Sequence, residues 1–283
     1  MTKIVSFINL KGGVGKTTTA VNIAATIASR HNKKVLLIDL DPQTNATVCL
    51  IDQNTWEERR AANQTIFNLF EDLLEGKRNF DINQAIMKNV GGVHNLDLLP
   101  SSLYLVEIQD NIPDIGNKAY VSHIDVLGNA IDPIKDQYDY IIIDCPPNLG
   151  AITLNGINIS HKYVIPTIPD ILSKIGISLI QNRIDNFRKR KNTCHIQLAG
   201  IVFTKVDYRT NLHGATMTEL RMNPNTSNYV FNAEFPQRIS VAESPIDSRP
   251  FITSPTAKAK GKASWSETQG IIDTITNEFM TRV

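Results

Sequence analysis

An excess of either charge is what this 283-residue chain lacks: Lys and Arg number 29, Asp and Glu 28, for a formal net charge of +1. That balance excludes a globally polycationic nucleic-acid binder, so any contact with a polyanion must come from a local patch. No run approaches the ~18 consecutive apolar residues of a membrane span. Met1 to Leu10 passes straight into a strand-like segment, without the three regions of a signal peptide. The cysteines Cys49, Cys145 and Cys194 are odd in number and far apart, which argues against a disulfide framework. No internal repeat, low-complexity tract or Pro/Gly/Ser linker divides the chain. What is present is 42% hydrophobic against 20% charged residues, enough for a large packed core. These features predict a cytoplasmic α/β protein built as one domain over 1–283.

The first forty residues read as one βαβ unit. Lys3–Asn9 is apolar and β-branched, a glycine-rich turn follows, and Thr17–Arg30 carries Ala20, Ile23, Ala24, Ile27 and Ala28 at helical spacing. Val35–Leu40 is nearly all hydrophobic, as in a parallel strand buried on both faces. The same signature recurs at Leu96–Leu99, Tyr140–Asp144, Val164–Thr167 and Leu198–Thr204. Helical patterns occupy Thr65–Glu75, Ile171–Lys191 and Ser266–Met280, whereas Ile51–Ala62 and Thr210–Tyr229 read as surface loops or short helices. Strands alternating with helices through right-handed crossovers predict a doubly wound, mostly parallel sheet with helices on both faces.

The turn after the first strand reads LKGGVGKTTT over Leu10–Thr19. Amides of a glycine loop that opens a helix can surround a phosphate, and the helix dipole assists. Gly12, Gly13, Val14 and Gly15 would form this cradle. Lys16 would reach the β- and γ-phosphates, the Thr17 hydroxyl would coordinate Mg²⁺, and Thr18 would meet the α-phosphate. The ordinary P-loop glycine five residues before Gly15 is replaced by Leu10, and a second lysine, Lys11, precedes the glycine pair.

Together KGGVGKTTT, LLIDLDPQTNAT (36–47) and YIIIDCPPNLG (140–150) resemble the ParA/Soj group of deviant Walker-A ATPases, whose relatives include MinD and the nitrogenase iron protein. The likeness spans about 3–245 and leaves a basic loop and docked helix at 246–283. It implies a single-domain P-loop NTPase that uses ATP and Mg²⁺ with slow, partner-stimulated turnover. Lys11 would cross into a partner subunit, so that two protomers sandwich two ATP molecules and separate on hydrolysis. Asp41 would help place the attacking water, Asp39 would support Mg²⁺ and the switch, and Asn45 would belong to that mobile segment. Asp144 matches the aspartate that holds Mg²⁺ through water. Thr204 and Asp207 of FTKVD, with Pro236 of FPQ, occupy the family's adenine pocket, although TKVD also looks like the guanine-reading motif of GTPases.

Three functions share such an engine. A MinD-like membrane regulator needs a basic amphipathic tail, but GIIDTITNEFMTRV places Ile271, Ile272, Ile275 and Phe279 on one face with Arg282 as its only cation. An iron-protein-like reductase needs bridging cysteines, and none of the three pairs convincingly. The third function is nonspecific DNA binding by the ATP dimer. By resemblance Arg209 is a DNA arginine, while the second family arginine corresponds to Ser240, with Arg238 nearby as a substitute. Local cations are Arg183, Arg188, Lys189, Arg190 and Lys191 near one helix end, and Lys258, Lys260 and Lys262 in a stretch without acids. The expectation is a nucleoid-associated homodimer that segregates a plasmid or chromosome with a ParB-like partner. The alternative is positioning of a protein cargo through an adaptor. The phosphate loop begins too early for an added helix-turn-helix, so operator-specific binding is not expected.

Overall fold

In a computed structural model, which describes residues 1–118 and 121–283, the β-branched apolar runs become six strands. They are β1 (Lys3–Phe7), β2 (Val35–Asp39), β3 (Leu96–Leu99), β4 (Tyr140–Asp144), β5 (Lys162–Thr167) and β6 (Gln197–Phe203). Their order is β3-β2-β4-β1-β5-β6, and every pairing between them is parallel. β2 and β4 are buried at each position, because helices cover both sides. Side chains alternate between the two faces. Leu36, Ile38, Ile141 and Ile143 enter one core, while Leu37, Ile142, Val5 and Phe7 enter the other.

Beside the second core lie α1 (Lys16–His31) and the last helix, and beside the first lie the helices Ile66–Leu74, Ala151–Ile159 and Ser173–Arg190. In chain order the helices used below are α2 (Asn45–Val48), α3 (Gln53–Ala61), α4 (Ile66–Leu74), α5 (Ala151–Ile159), α6 (Ser173–Arg190), α7 (Asn211–Met222), α8 (Ile239–Glu243), α9 (Pro255–Ala259) and α10 (Lys262–Arg282). Two segments expected as loops or short helices hold α3 and α7, of 9 and 12 residues. Side-chain caps start both: Asp52 accepts from the Thr55 amide, and Thr210 from the Leu212 amide. α10 starts before the expected Ser266, so Lys262 is helical.

The C-terminal helix is part of the core. Ile272, Ile275 and Phe279 are fully buried, and the Phe279 ring stacks on Phe7 at 5.9 Å between centroids. Replacing Phe279 with Ala removes a ring that spans α10, β1 and β4. The expected loss of unfolding free energy is about 3–5 kcal/mol, measurable by denaturant titration.

Candidate nucleotide-binding site

The loop after β1 is pinned by Asn9, whose Nδ2 donates to the Pro166 carbonyl (2.7 Å) and whose Oδ1 accepts from the Lys11 amide (2.9 Å). Gly13 and Gly15 hold φ at 72° and 80°, left-handed values that side chains disfavour. A Cβ on Gly12 or Gly13 would meet nothing within 4 Å, so the concavity is open. α1 has neither a side-chain cap nor an acid in its first turn. The amides of that turn lack helical acceptors, and with the dipole they suit an anion. The two loop lysines have opposite fates. Lys16 is buried at 6% exposure, whereas the Lys11 side chain is 50% exposed and its Nζ pairs with Asp170 in the turn after β5.

Parallel register sets Asp39 of β2 beside Asp144 of β4. Thr17 Oγ1 donates to Asp144 Oδ2 (2.6 Å), while the buried Asp144 Oδ1 has no hydrogen-bond partner. Burial lifts the Asp144 carboxyl well above the usual range, and the nearby Asp39 charge adds to the lift. Burial also raises Asp39 to about 7, against hydrogen bonds from Thr47, and raises Asp41, against its Gln43 hydrogen bond and the pull of Lys16. Three buried carboxylates thus face one buried lysine. The set is short of positive charge.

Asp39 does not face this gap with a free oxygen. Its Oδ1 accepts from the Asp41 amide (3.1 Å), and its Oδ2 accepts from the amide (2.8 Å) and hydroxyl (2.7 Å) of Thr47. Both Asp39 oxygens are thus engaged in anchoring the 41–47 segment. Asp41 keeps one bonded oxygen, Oδ1, to the Gln43 amide (2.9 Å), and Asn45 is exposed at the start of α2. Spacing revealed neither Thr47 nor Ser101, which closes this network by donating from Oγ to the Asp41 carbonyl (2.8 Å). Asp170 was missed as well. Its only sequence trace is its position just after a predicted strand.

Beyond Thr18 lies a cavity of about 480 Å³ lined by Gly15, Thr18, Thr204, Lys205, Phe235, Pro236 and Gln237 among others. Thr204 Oγ1 donates to the Val14 carbonyl (2.6 Å), joining this cavity to the phosphate loop. Thr204 and Pro236 thus both line a cavity that adjoins the phosphate loop. Asp207 does not line the cavity: both its oxygens accept from the Arg209 guanidinium, at 2.9 and 2.7 Å.

The basic residues proposed for DNA fall in two places. Arg238, Lys258, Lys260 and Lys262 gather around α8, α9 and the start of α10. There Arg238 pairs with Glu267, Lys260 pairs with Glu243, and Lys258 lies 5.5 Å over the Trp265 ring. Arg209 is elsewhere, on the loop after β6. Cys145 and Cys194 pack in the apolar core, and burial pushes the Cys49 thiol up to about 12.

A glycine loop between a central parallel strand and a helix, with a Thr–Asp pair behind it, defines a P-loop nucleotide-binding protein. The family described as an AAA domain matches residues 2–197. The chain is 33% identical to the sporulation initiation inhibitor protein Soj of Bacillus subtilis over 253 residues, covering 89% of this chain and 91% of that one. It is also 33% identical to the chromosome-partitioning ATPase Soj of Treponema pallidum, covering 94% and 95%. In fold it is similar to a putative plasmid partition protein of Borrelia burgdorferi bound to AMPPNP, with a TM-score of 0.69 at 22% identity, covering 100% and 99%. The chain belongs to the ParA/Soj family of partitioning ATPases. A cobyrinic acid a,c-diamide synthase of Mycobacterium smegmatis, similar in fold with a TM-score of 0.69 at 24% identity and covering 93% and 97%, holds an ATP analogue and Mg²⁺.

The residues present fit both. The open glycine cradle and uncapped turn suit phosphates. The orphaned Asp144 Oδ1 beside the Thr17 hydroxyl suits a hydrated Mg²⁺, which keeps several waters and takes few protein ligands. Among the described residues no group of three or more His, Cys, Asp or Glu side chains forms a metal cage.

The raised Asp39 carboxyl has a stability consequence in nucleotide- and Mg²⁺-free protein. Between the ordinary 3.8 and about 7 the folded chain holds this proton while the unfolded chain has lost it. Stability on this group's account therefore falls as pH rises through that window. Asp39→Asn removes the slope. Denaturation midpoints at pH 5 and pH 8 should differ less in the variant than in the wild type.

Proposed function

We propose that this chain is an ATP-dependent partition ATPase that acts as one unit over 1–283, dimerises on ATP, and binds double-stranded DNA without sequence preference. A ParB-like or adaptor partner stimulates hydrolysis, and the dimer then leaves the DNA. The carrying observation is the divided fate of the loop lysines. Lys16 is buried beside the site's carboxylates, where a nucleotide of its own protomer would lie, while Lys11 stands half-exposed on the rim and is paired with Asp170.

Mg²⁺ bound with the triphosphate supplies charge neutralisation that the three carboxylates call for. Thr17 and Asp144 hold it, Asp144 through water. Asp41 orients the attacking water from the end of β2, and Asp39 keeps Asp41 in place through the Thr47 network. Thr18, Thr204 and Pro236 seat the nucleoside, and Asn45 closes over it with α2. With positioning as the main resource and no arginine finger in the loop, turnover is slow until a partner completes the site. The cargo is a plasmid or chromosome, set by the partner. The buried apolar face of α10 and the lack of any described helix long and apolar enough to cross a membrane leave the membrane reading without support.

DNA contact draws on Arg209, Arg238, Lys258, Lys260 and Lys262. Three of these five are paired with acids in the free chain, so phosphates must displace Asp207, Glu267 and Glu243. That competition predicts weak binding with steep salt dependence. Random duplex should shift only with ATP and Mg²⁺, and the shift should vanish between about 50 and 200 mM salt. An ATP-independent shift contradicts the reading.

Lys16→Ala is expected to lose nucleotide binding. Lys11→Ala is expected to bind ATP normally while sedimenting as a monomer without hydrolysis, and Asp41→Ala to form a dimer that stays on DNA. A Lys11 variant that hydrolyses like the wild type refutes the trans assignment.

A further inference from the structure

A groove lies between α5 and α6, on the face of the sheet opposite α8 and α9. Its floor is Ile157 of α5 and Ile184 of α6, both buried, and its walls are the half-buried Leu154 and Phe187. Arg183 and Arg190 stand exposed on the α6 rim. Positions 183, 187 and 190 fall on one face of the helix. The two guanidinium groups are therefore two turns apart, about 10 Å along the axis at ~1.5 Å per residue.

Among the described residues neither arginine makes an ion pair, although on the same stretch Arg188 pairs with Asp185 and Lys191 with Asp125. The helix dipole favours cations in the last turn, which holds Arg188, Lys189 and Arg190 but not Arg183. Two unpaired cations bordering half-buried apolar side chains complement a chain that brings carboxylates and aliphatic groups together. The cavity measures about 280 Å³. That falls just under the ~300–1,000 Å³ of small-molecule sites, so it suits one anchoring side chain better than a free metabolite. A duplex backbone offers phosphates without apolar groups and leaves Leu154 and Phe187 unused. An amphipathic helix uses both features. Its apolar side chains enter between α5 and α6, and acids seven residues apart meet the two guanidinium forks.

We propose that the α5–α6 groove docks an acidic amphipathic helix of a partner protein, anchored on Leu154 and Phe187 and held by Arg183 and Arg190. This rests on the reading above that a partner acts on this ATPase, and it names where such a partner attaches and by what chemistry. The cations around α8, α9 and the start of α10 belong to the other face of the sheet. A helix seated in the groove leaves that face open to DNA, so cargo and nucleoid can be held at once.

The probe is a labelled synthetic helix with Leu at its apolar positions and Glu seven residues apart, titrated against the full chain by fluorescence anisotropy. A twin with Lys for Glu is the control. The Glu helix is expected to bind, and the Lys twin to bind about tenfold more weakly or worse. Arg183→Glu and Arg190→Glu should each weaken the Glu helix about tenfold, and Leu154→Ala several-fold. The double reversal should favour the Lys twin, a switch that misfolding cannot produce. Absent binding, equal binding of the two helices to wild type, or no switch in the double reversal overturns the groove. If an ATP-dependent shift of random duplex persists in that case, the partition reading stands. A duplex shift weakened about tenfold by Arg183→Glu and Arg190→Glu, with no binding of the Glu helix, gives these cations to nucleic acid and overturns the proposal. Loss of the duplex shift in wild type with helix binding intact overturns the partition reading and not the groove.

Discussion

Three carboxylates brought together at one end of a dry parallel sheet, with a single buried lysine to answer them, are the constraint from which the rest of the structure follows. Parallel pairing makes this unavoidable. β2 and β4 run the same way in register, so acids at their C-terminal ends must lie side by side. Each loses hydration, and each raises the cost of ionising the other. Lys16 offsets part of that cost. The remainder is a standing demand for a cation, and a site that also offers open amides and a helix N-terminus can satisfy it with a metal–phosphate complex. Neither half suffices alone, because amides without the metal leave the acids frustrated.

The way Asp39 handles its own charge ties the segment after β2 to the sheet. Its carboxylate is occupied by Asp41 and Thr47, and Thr47 Oγ1 in turn accepts from the Ser101 amide (2.9 Å). Ser101 then donates back to the Asp41 carbonyl. A closed, buried ring of hydrogen bonds joins the ends of β2 and β3 to the start of α2. Such rings are stable when complete and costly when one member is left unpaired.

How much of this was legible beforehand varied with the range of the interaction. The six strands, the phosphate loop and α1 were written locally, in β-branched runs, glycines and a 3.6-residue apolar period. The same holds for the buried side of α10, whose Ile272, Ile275 and Phe279 fall at helical spacing. α7 was obscured because Asn and Thr favour turns over helix interiors, and only the Thr210 cap reveals why a helix starts there. The partners of Asp39 and Asp207 were hidden for a different reason. A carboxylate at a strand end announces a polar site, but whether its oxygens face a ligand or a neighbour depends on Thr47 or Arg209 being folded against it. No spacing rule encodes that. Asp170, 159 residues from Lys11 in the chain, was invisible on the same ground.

The contrast between the two lysines supports the proposal that one short loop serves two protomers. Lys16 has left water and gained the pull of buried acids, so moving it would expose their unmet charge. Lys11 keeps half of its surface in solvent, and an ion pair exposed to that degree is worth about 0–1 kcal/mol. Its seat on Asp170 is therefore firm enough to give it a place and weak enough to be given up for a triphosphate, whose hydrogen bonds to a cation are charge-assisted and stronger. Replacing Leu10 by glycine would not create this asymmetry. It arises because the loop turns back at Asn9, fixing the Lys11 backbone on the rim while its side chain remains free to choose between partners.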